Sequence, residues 1–313
     1  MEPVLCEARF HNEEAAYAWV EAALWPDGPV CYHCKGRERI GKIAGKTTRI
    51  GLYKCYSCKK PFTVKMGTVF ESSHVPMHIW LQGIYLLSSS KKGISTRQLQ
   101  RVFGCGLKTA WFMSHRIREA MKEAGIAPLL GGAGRVVEAD ETEIAPSRKT
   151  AAPDRVKRGN NRRIASLVER GGTVRSRMID QRGMSQVRQA VRENLAPGTI
   201  LHTDGAQAYK FLMPLGQHEA VNHNKAFARD SNNGGRVHTN TVEGYFSLFK
   251  RGLVGTYHHM GEQHLHRYLA EFDFRHNYRV KLGFDDVQRS QQALLGVVGK
   301  RLTYKATATA TAS

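Results

Sequence analysis

The sequence lacks any apolar run long enough to cross a membrane. No stretch of its 313 residues approaches the roughly 18 consecutive apolar residues that identify a candidate membrane helix. Its first residues form neither the apolar core of a signal peptide nor a basic amphipathic helix that could lie on a lipid surface. We therefore expect a cytoplasmic protein with no membrane partner.

Acidic residues are scarce relative to basic ones. The chain has 27 Asp and Glu residues against 47 Lys and Arg residues, which gives a formal net charge of +20. A chain of this charge repels itself unless a polyanion is its usual partner, so nucleic acid is favoured and association with the nucleoid is expected. The length suffices for two or three domains with at least one sizeable core.

Cysteine is also scarce, and its spacing argues against a disulfide framework. Of six cysteines, two stand alone and the others form two dyads, each with two intervening residues. Two such dyads on facing hairpins complete a closed tetrahedral zinc site, which is structural because it leaves no open position. The basic segments between the dyads predict a zinc ribbon that folds with its metal. The predicted ligands are Cys31, Cys34, Cys55 and Cys58.

Three helices are predicted after the ribbon. The first begins at Pro76, the second spans 95–103, and the third runs from about Lys108 to Glu123 after a turn that contains Gly104 and Gly106. This order is typical of a helix-turn-helix, although a plain three-helix bundle with a solvated face fits the same pattern. The helix-turn-helix hypothesis gives the third helix an outer face suited to a DNA groove, formed by Lys108, Trp111, His115, Arg118 and Lys122.

The segment Val136–Ile144, VVEADETEI, is predicted to be a strand that starts in a core and ends in carboxylates. Its two valines favour a strand, whereas Asp140 is a poor strand former and marks the strand end. Taken alone, the pattern fits a strand that ends in a solvated acidic turn equally well. In so basic a chain, however, an isolated acidic cluster indicates a bound cation or another function of these carboxylates.

More strands and helices are predicted beyond this segment. The strand at 199–203 ends in Asp204, so a second carboxylate lies where a buried strand stops. A β-β-β-α-β order with acids at strand ends is the plan of a ribonuclease-H-like domain. The predicted strands are 136–145, 164–169, 174–180, 199–203 and 219–222, and the predicted helices are 186–195 and 207–212.

A third acid lies on a predicted helix within the segment His238–Lys250. Glu243 and Lys250 are two helical turns apart and share one face with Asn240. For Glu243 alone, a solvated helix carboxylate is the simpler interpretation. Phosphodiester chemistry gives a reason to gather these groups, because two divalent ions roughly 4 Å apart need several carboxylate oxygens. Lys250 and Asn240 would then contact a phosphate or a nucleotide edge.

Three motifs together resemble the DDE transposases of bacterial insertion sequences, in the branch with an N-terminal zinc ribbon and helix-turn-helix. They are Asp140-Glu-Thr, His202-Thr-Asp204-Gly, and His238-Thr-Asn-Thr-Val-Glu243 with Lys250 seven positions later. The resemblance extends over residues 10–279. It implies a ribonuclease-H-like fold, Mg²⁺-dependent cleavage at inverted repeats and strand transfer into target DNA.

The resemblance also implies roles for particular residues. Asp140, Asp204 and Glu243 correspond to a triad that holds two Mg²⁺ (or Mn²⁺) ions, and Lys250 corresponds to the lysine that follows it. His238 and Asn240 are expected to support the site or bind DNA, and either Glu243 or Asn240 can complete the metal set. The expected partner is double-stranded DNA, at element ends and target, bound by a homo-oligomer when two ends are paired.

The expected fold is α+β and multidomain. Residues 1–66 form an N-terminal helix and zinc ribbon, 67–127 a helix-turn-helix domain, and 135–305 a ribonuclease-H-like domain whose mixed sheet has helices on both faces; 306–313 form a disordered tail. Two other functions share some of these features. A DNA-binding transcription factor or inactive domesticated relative would not need three acids at element ends, and a ribonuclease-H-like nuclease or resolvase would cut without joining.

Overall fold

The computed structural model describes residues 3–123, 127–144, 162–179, 184–205, 209, 216–222, 226–231 and 235–303. These residues form two compact units. The first unit comprises Met1–Lys122 together with Phe284–Ser313, and the second comprises Glu123–Gly283. Among the helices described, none combines the length and the apolar character needed to cross a membrane.

The first unit begins with a helix and a small three-stranded sheet. Helix α1 (Glu13–Leu24) starts at Asn12, whose side chain accepts a hydrogen bond from the Ala15 backbone N–H at 2.9 Å. Strands β1 (Ile40–Lys42), β2 (Tyr53–Cys55) and β3 (Pro61–Phe62) pair antiparallel in that order. This is the architecture that the cysteine spacing predicts for residues 31–62.

Four further helices complete the first unit. Ser95 caps α3 through the Gln98 N–H, and Gly104 ends it with a positive φ of 59°, which a glycine adopts without strain. Three residues therefore separate α3 from α4. The helices are α2 (Met77–Ser89), α3 (Thr96–Phe103), α4 (Leu107–Ala120) and, in chain order the last, α8 (Asp286–Leu295).

The structure corrects the predicted outer face of α4. His115 and Arg118 are completely buried, because α2, α3 and α8 all pack against this helix. Trp111 is half-buried with its ring centroid 4.2 Å from that of His115, and Lys122 is half-buried beside Glu119. Only Lys108, in the first turn, is fully exposed as predicted. The packing of these helices on α4 is not visible in local sequence patterns.

Residues 284–303, which the sequence assigned to the third domain, pack in the first unit instead. Helix α8 packs on α2 and on α1, and Arg289 donates to the Ser88 carbonyl at 3.3 Å. The backbone after α8 also pairs with the first unit, where Gly299 N–H donates to the Gly67 carbonyl at 2.8 Å.

The second unit is built on a five-stranded mixed sheet. Its order is β6-β5-β4-β7-β8, with β4, β5 and β6 antiparallel and with β7 and β8 parallel to β4. The strands are β4 (Val136–Ile144), β5 (Arg162–Glu169), β6 (Val174–Ile179), β7 (Thr199–Thr203) and β8 (Gly216–Ala220), and β9 (Arg229–Asp230) pairs separately with β10 (Arg236–Val237).

Helices cover both faces of this sheet, because successive strand residues point to opposite sides. On one face, Val137 and Ala139 pack with Val187 and Val191 of α5 (Met184–Asn194). On the other, Ile144 packs in a cluster with residues of α6 (Asn240–Gly252) and α7 (Glu262–Asn277). The arrangement is compatible with a ribonuclease-H-like domain. The predicted helix at 207–212, apart from Tyr209, and the predicted tail at 306–313 lie outside the described residues.

Candidate active site and metal centres

Four cysteines of the ribbon converge on one point. The sulfur atoms of Cys31, Cys34, Cys55 and Cys58 all lie within 4.8 Å of one another. Two of the separations, Cys31 to Cys58 and Cys34 to Cys55, are 3.6 Å. Tetrahedral zinc with Zn–S bonds of about 2.3 Å sets its sulfur atoms about 3.8 Å apart, so the cluster is of the size that a zinc ion requires.

A backbone group favours the thiolate form of Cys55, whereas the pKa values of Cys34 and Cys58 are raised. The pKa of Cys55 falls to about 6, chiefly because the Cys58 backbone N–H donates to its sulfur. The thiolate is the form that binds metal, so the turn from Cys55 to Cys58 favours the metal-binding form of Cys55. Cys31 and Cys55 are completely buried beside Tyr53 and Phe62.

The register of the sheet places the first two acids side by side. Strand β7 pairs parallel to β4, with Glu138 opposite His202. Asp140 follows two residues after Glu138, and Asp204 follows two residues after His202, so this pairing brings the two acids close together. Asp140 lies inside β4, which continues to Ile144, and not at the strand end as the sequence predicted, whereas Asp204 directly follows the end of β7. Neighbouring strands lie about 4.8 Å apart, which is the spacing needed for two carboxylates to share a cation.

The electrostatics of Asp140 show that its carboxyl group sits among other acids. Its pKa is raised to about 7, first by burial and then by the charges of Asp204, Glu141 and Glu243, against a hydrogen bond from the Glu141 backbone N–H that lowers it. The pKa of Glu141 is raised too, first by burial, although its carboxylate accepts a hydrogen bond from the Tyr209 hydroxyl at 2.8 Å. Carboxyl groups in this situation gain by binding a cation.

The third acid reaches the same place from helix α6. Glu243, Ser247 and Lys250 form an exposed stripe along the helix, and they line an open cleft of about 640 Å³ together with Asp140 and Glu141. One Glu243 oxygen accepts a hydrogen bond from the Thr239 hydroxyl at 2.6 Å, which orients the carboxylate. Asn240, the first residue of α6, is exposed on the preceding turn.

The donor set of this cleft suits a hard divalent cation. Its ligand atoms are carboxylate oxygens, which Mg²⁺ and Mn²⁺ prefer, whereas the ribbon offers only thiolates, which select zinc. Lys250 and Arg251 border the acids on the cleft wall. A phosphate group bound by the Lys250 and Arg251 side chains would lie next to the carboxylates.

Sequence reasoning missed the buried polar groups beneath the acids. Glu138 lies on the same face of β4 as Asp140, two residues earlier, and its side chain is 0% exposed. Arg170, in the turn after β5, donates to it from Nε at 2.6 Å. His202, two residues before Asp204, accepts a hydrogen bond from Arg170 at 3.0 Å. The period-two pattern of strands could have shown that Glu138 and Asp140 share a face, but nothing local indicated a buried charge.

His238 belongs to this buried group. Its ring Nδ1 lies 3.2 Å from Glu138, and its backbone carbonyl accepts from Arg170 at 3.0 Å. Burial and then the charge of Arg170 lower the pKa of His238, so its imidazole is neutral at pH 7. His238 is half-buried, with 23% of its side chain exposed, and contacts the group around Glu138.

Comparison with known proteins matches both motif regions. Residues 129–277 match the ISXO2-like transposase domain, and residues 11–61 match the transposase zinc-ribbon domain. An uncharacterized protein in transposable element ISH50 of Halobacterium salinarum is 26% identical over 282 residues, which cover 85% of this chain and 91% of that protein. The predicted structural zinc site is confirmed by the ribbon match and by the converging cysteines.

Proposed function

Because the chain belongs to the insertion-sequence transposases, with their zinc ribbon and ISXO2-like domain, we propose that it cuts DNA at the terminal inverted repeats of its element and joins the 3′ ends to target DNA. The observation that supports the proposal is the parallel pairing of β4 and β7, in which Glu138 and His202 are partners, two residues before Asp140 and Asp204 respectively. Glu243 lines the same cleft as Asp140.

In this proposal, Asp140, Asp204 and Glu243 hold two divalent ions. When bound, such ions activate the attacking hydroxyl and stabilise the leaving oxygen of the phosphodiester. Glu243 is assigned as the third ligand because its exposed side chain on α6 and that of Asp140 line the same cleft. Asn240, one turn earlier, is assigned to the flanking nucleotide.

The remaining cleft residues position the DNA strand. Lys250 and Arg251 donate to the phosphates on either side of the scissile bond, and Ser247 lies between them and Glu243. Their positive charge offsets the repulsion between the DNA and the acids. The carboxylates, once they hold the ions, no longer repel the phosphate.

The first unit supplies the remaining DNA contacts. No Asp or Glu occurs between Glu71 and Glu119, a stretch that includes α2, α3 and most of α4. Arg97, Arg101 and Lys108 are exposed on α3 and the first turn of α4. We assign the predicted helix-turn-helix contact to this surface, with the zinc ribbon as a second one. Two chains, one on each element end, would form the assembly that joins them.

Replacement of Asp140 or Asp204 tests the proposal. Asp140→Asn and Asp204→Asn each remove one ligand charge without changing side-chain size. We expect cleavage and joining of element-end DNA in Mg²⁺ or Mn²⁺ to fall by at least a hundredfold, a loss of about 3 kcal/mol or more in transition-state stabilisation. Binding to the same DNA, measured by fluorescence anisotropy, should change less than threefold. Glu193→Gln, an exposed carboxylate on α5, is the matched control and should keep both activities.

Other results of these assays would indicate a different function for this chain. Tight DNA binding without metal-dependent cleavage in the unmodified protein would indicate a transcription factor or inactive relative. Cleavage without joining would indicate a nuclease or resolvase. Retention of cleavage by both Asn variants would remove these acids from the chemistry.

A further inference from the structure

A buried carboxylate connects the three elements that carry the acids. Glu138 of β4 accepts hydrogen bonds from the Thr241 backbone N–H at 2.7 Å and from the Val242 N–H at 3.1 Å. These are the second and third residues of α6, so their N–H groups have no partner within the helix. Glu138 therefore caps α6 from a strand, and its charge opposes the positive end of the helix dipole.

This position requires a carboxylate and not merely a polar group. Besides the two N–H groups, Glu138 accepts from the Thr241 hydroxyl at 2.8 Å and from Arg170 Nε at 2.6 Å. These four groups are donors, and an ionised carboxylate offers acceptor sites on both oxygens; His238 Nδ1 lies beside them, 3.2 Å from Glu138. A glutamine of the same size would turn its own N–H₂ group toward one of these donors, leaving buried groups unpaired.

Arg170 extends the connection to the strand that carries Asp204. One of its terminal nitrogens donates to His202 Nδ1 and to the His238 carbonyl, both at 3.0 Å, while the other donates to the Arg236 carbonyl at 3.0 Å. Because a guanidinium has only donors, Nδ1 of His202 is the acceptor in this hydrogen bond. A planar guanidinium can make these bonds at once because its donors are fixed in a fork.

On each of the two strands, a buried polar residue precedes the acid by two positions. Glu138 and Asp140 are two residues apart on β4, and His202 and Asp204 are two residues apart around the end of β7. Glu243 lies one turn beyond the capped end of α6. Any shift of α6 relative to β4 therefore changes the distance from Glu243 to Asp140.

We propose that Glu138 is a positioning residue that, with Arg170, fixes the spacing of Asp140, Asp204 and Glu243 and thereby sets the affinity of the acidic site for divalent cations. The inference rests on the proposed function, because it takes that site to bind cations. It holds whether Glu243 or Asn240 is the third ligand, since both lie in the first turns of α6.

The test measures cation binding directly, with Mn²⁺ as the probe. Zinc-loaded, DNA-free protein is titrated with Mn²⁺ by isothermal titration calorimetry, comparing the unmodified chain with Glu138→Gln. We expect the Mn²⁺ dissociation constant of the variant to rise at least tenfold. The Mn²⁺ concentration for half-maximal cleavage should rise by a similar factor, with most of the maximal rate recovered at saturating Mn²⁺.

A variant that merely destabilises the fold separates positioning from stability. Glu271→Gln is the matched control, because Glu271 is also completely buried and pairs with an arginine, Arg275, within α7. We expect Glu271→Gln to lower the melting temperature and leave the Mn²⁺ affinity of the folded protein unchanged. The same pattern in Glu138→Gln, a lower melting temperature with unchanged Mn²⁺ affinity, would overturn the inference.

Two further variants keep the test decisive. Should Glu138→Gln not fold, Arg170→Lys retains the charge beside Glu138 but cannot bond His202 and the His238 carbonyl together; we expect about threefold weaker Mn²⁺ binding, and unchanged binding would contradict us. Asp140→Asn separates the two proposals. If Mn²⁺ binding survives Asp140→Asn, the proposed function fails, whereas loss in Asp140→Asn without loss in Glu138→Gln or Arg170→Lys rejects only the positioning role.

Discussion

The Asp140 carboxyl group is a destabilising element of the cation-free fold. Its pKa of about 7, raised first by burial and then by the neighbouring acids, lies well above that of an exposed Asp. Between pH 4 and 7 the folded state therefore binds more protons than the unfolded state, so stability falls as pH rises through this window. Strain of this kind is typical of sites that gain their stability from a ligand.

Asp140→Asn should therefore stabilise the protein when no divalent cation is present. At pH 8 we expect the free energy of unfolding of the second unit to rise by about 1–3 kcal/mol. This gain should vanish near pH 4, where position 140 is uncharged in the folded unmodified protein as it is in the folded variant. Urea unfolding with EDTA, followed at several pH values, measures this. Added Mn²⁺ should stabilise the unmodified protein and not the variant. Lower stability of Asp140→Asn at pH 8 would contradict the electrostatic argument.

The site residues differ in how far the sequence could predict them. Asp204 follows the end of β7 as the local pattern predicted, whereas Asp140, predicted at a strand end, lies in the middle of β4. Glu138 was missed because its partners Thr241 and Val242 lie 103 and 104 positions away, beyond the reach of any periodicity. Local pattern shows where charge is exposed to a ligand, but only the fold shows where charge is buried.

At the scale of single elements, the zinc ribbon has too little core to fold by itself. Its buried cluster consists of Cys31, Tyr53, Cys55 and Phe62, with few partly buried neighbours. Two of those four residues are thiolate ligands, so the metal must supply most of the folding free energy, of the order of 10 kcal/mol for structural zinc sites. The ribbon and its ion are one folding unit.

Cys31→Ser should release the zinc and unfold the ribbon. Serine is a poor zinc ligand, and Cys31 is fully buried, so no other side chain can replace it. Zinc released to a chromogenic chelator, together with DNA affinity, measures the change; we expect DNA binding at least tenfold weaker. Cys105→Ser is the control, because Cys105 lies outside the cluster. Mn²⁺ binding at the acids should persist in Cys31→Ser, and retained zinc would refute the ligand assignment.

The helix α4 shows where an element-level prediction fails. Its existence and its apolar positions Ala110, Met113 and Ile117 follow from helical periodicity, and all three are buried. The opposite face was predicted to be exposed because His115 and Arg118 are polar. Both are buried by other helices, so polarity alone did not identify the surface of this helix.

At the scale of the whole chain, the first unit is discontinuous. The chain leaves it at Lys122, forms the second unit, and returns at Phe284. The returning segment is bonded by its backbone, since Val69 N–H donates to the Val297 carbonyl at 3.2 Å, and Lys300 donates to the Ala120 carbonyl at 2.9 Å. Sequence patterns could not show that residues 284–303 return to the first unit, because the contact joins segments separated by the whole second unit and leaves no local signal.

Gly296 is the point where the returning segment approaches α4 most closely. A Cβ atom there would lie 2.2 Å from the Ala120 carbonyl oxygen, although the backbone conformation (φ −72°) suits any residue. Gly296→Ala should therefore force α8 away from α4 and lower the free energy of unfolding of the first unit by about 1–3 kcal/mol, as overpacking does. Leu295→Ala, at a side chain 44% exposed, is the neighbouring control and should change stability by about 0.5 kcal/mol or less. Guanidinium unfolding followed by fluorescence measures both variants. Equal stabilities for Gly296→Ala and Leu295→Ala would show that residues 284–303 are not an integral part of the first unit. The predicted domain 135–305 would then describe the folding units better than the observed packing does.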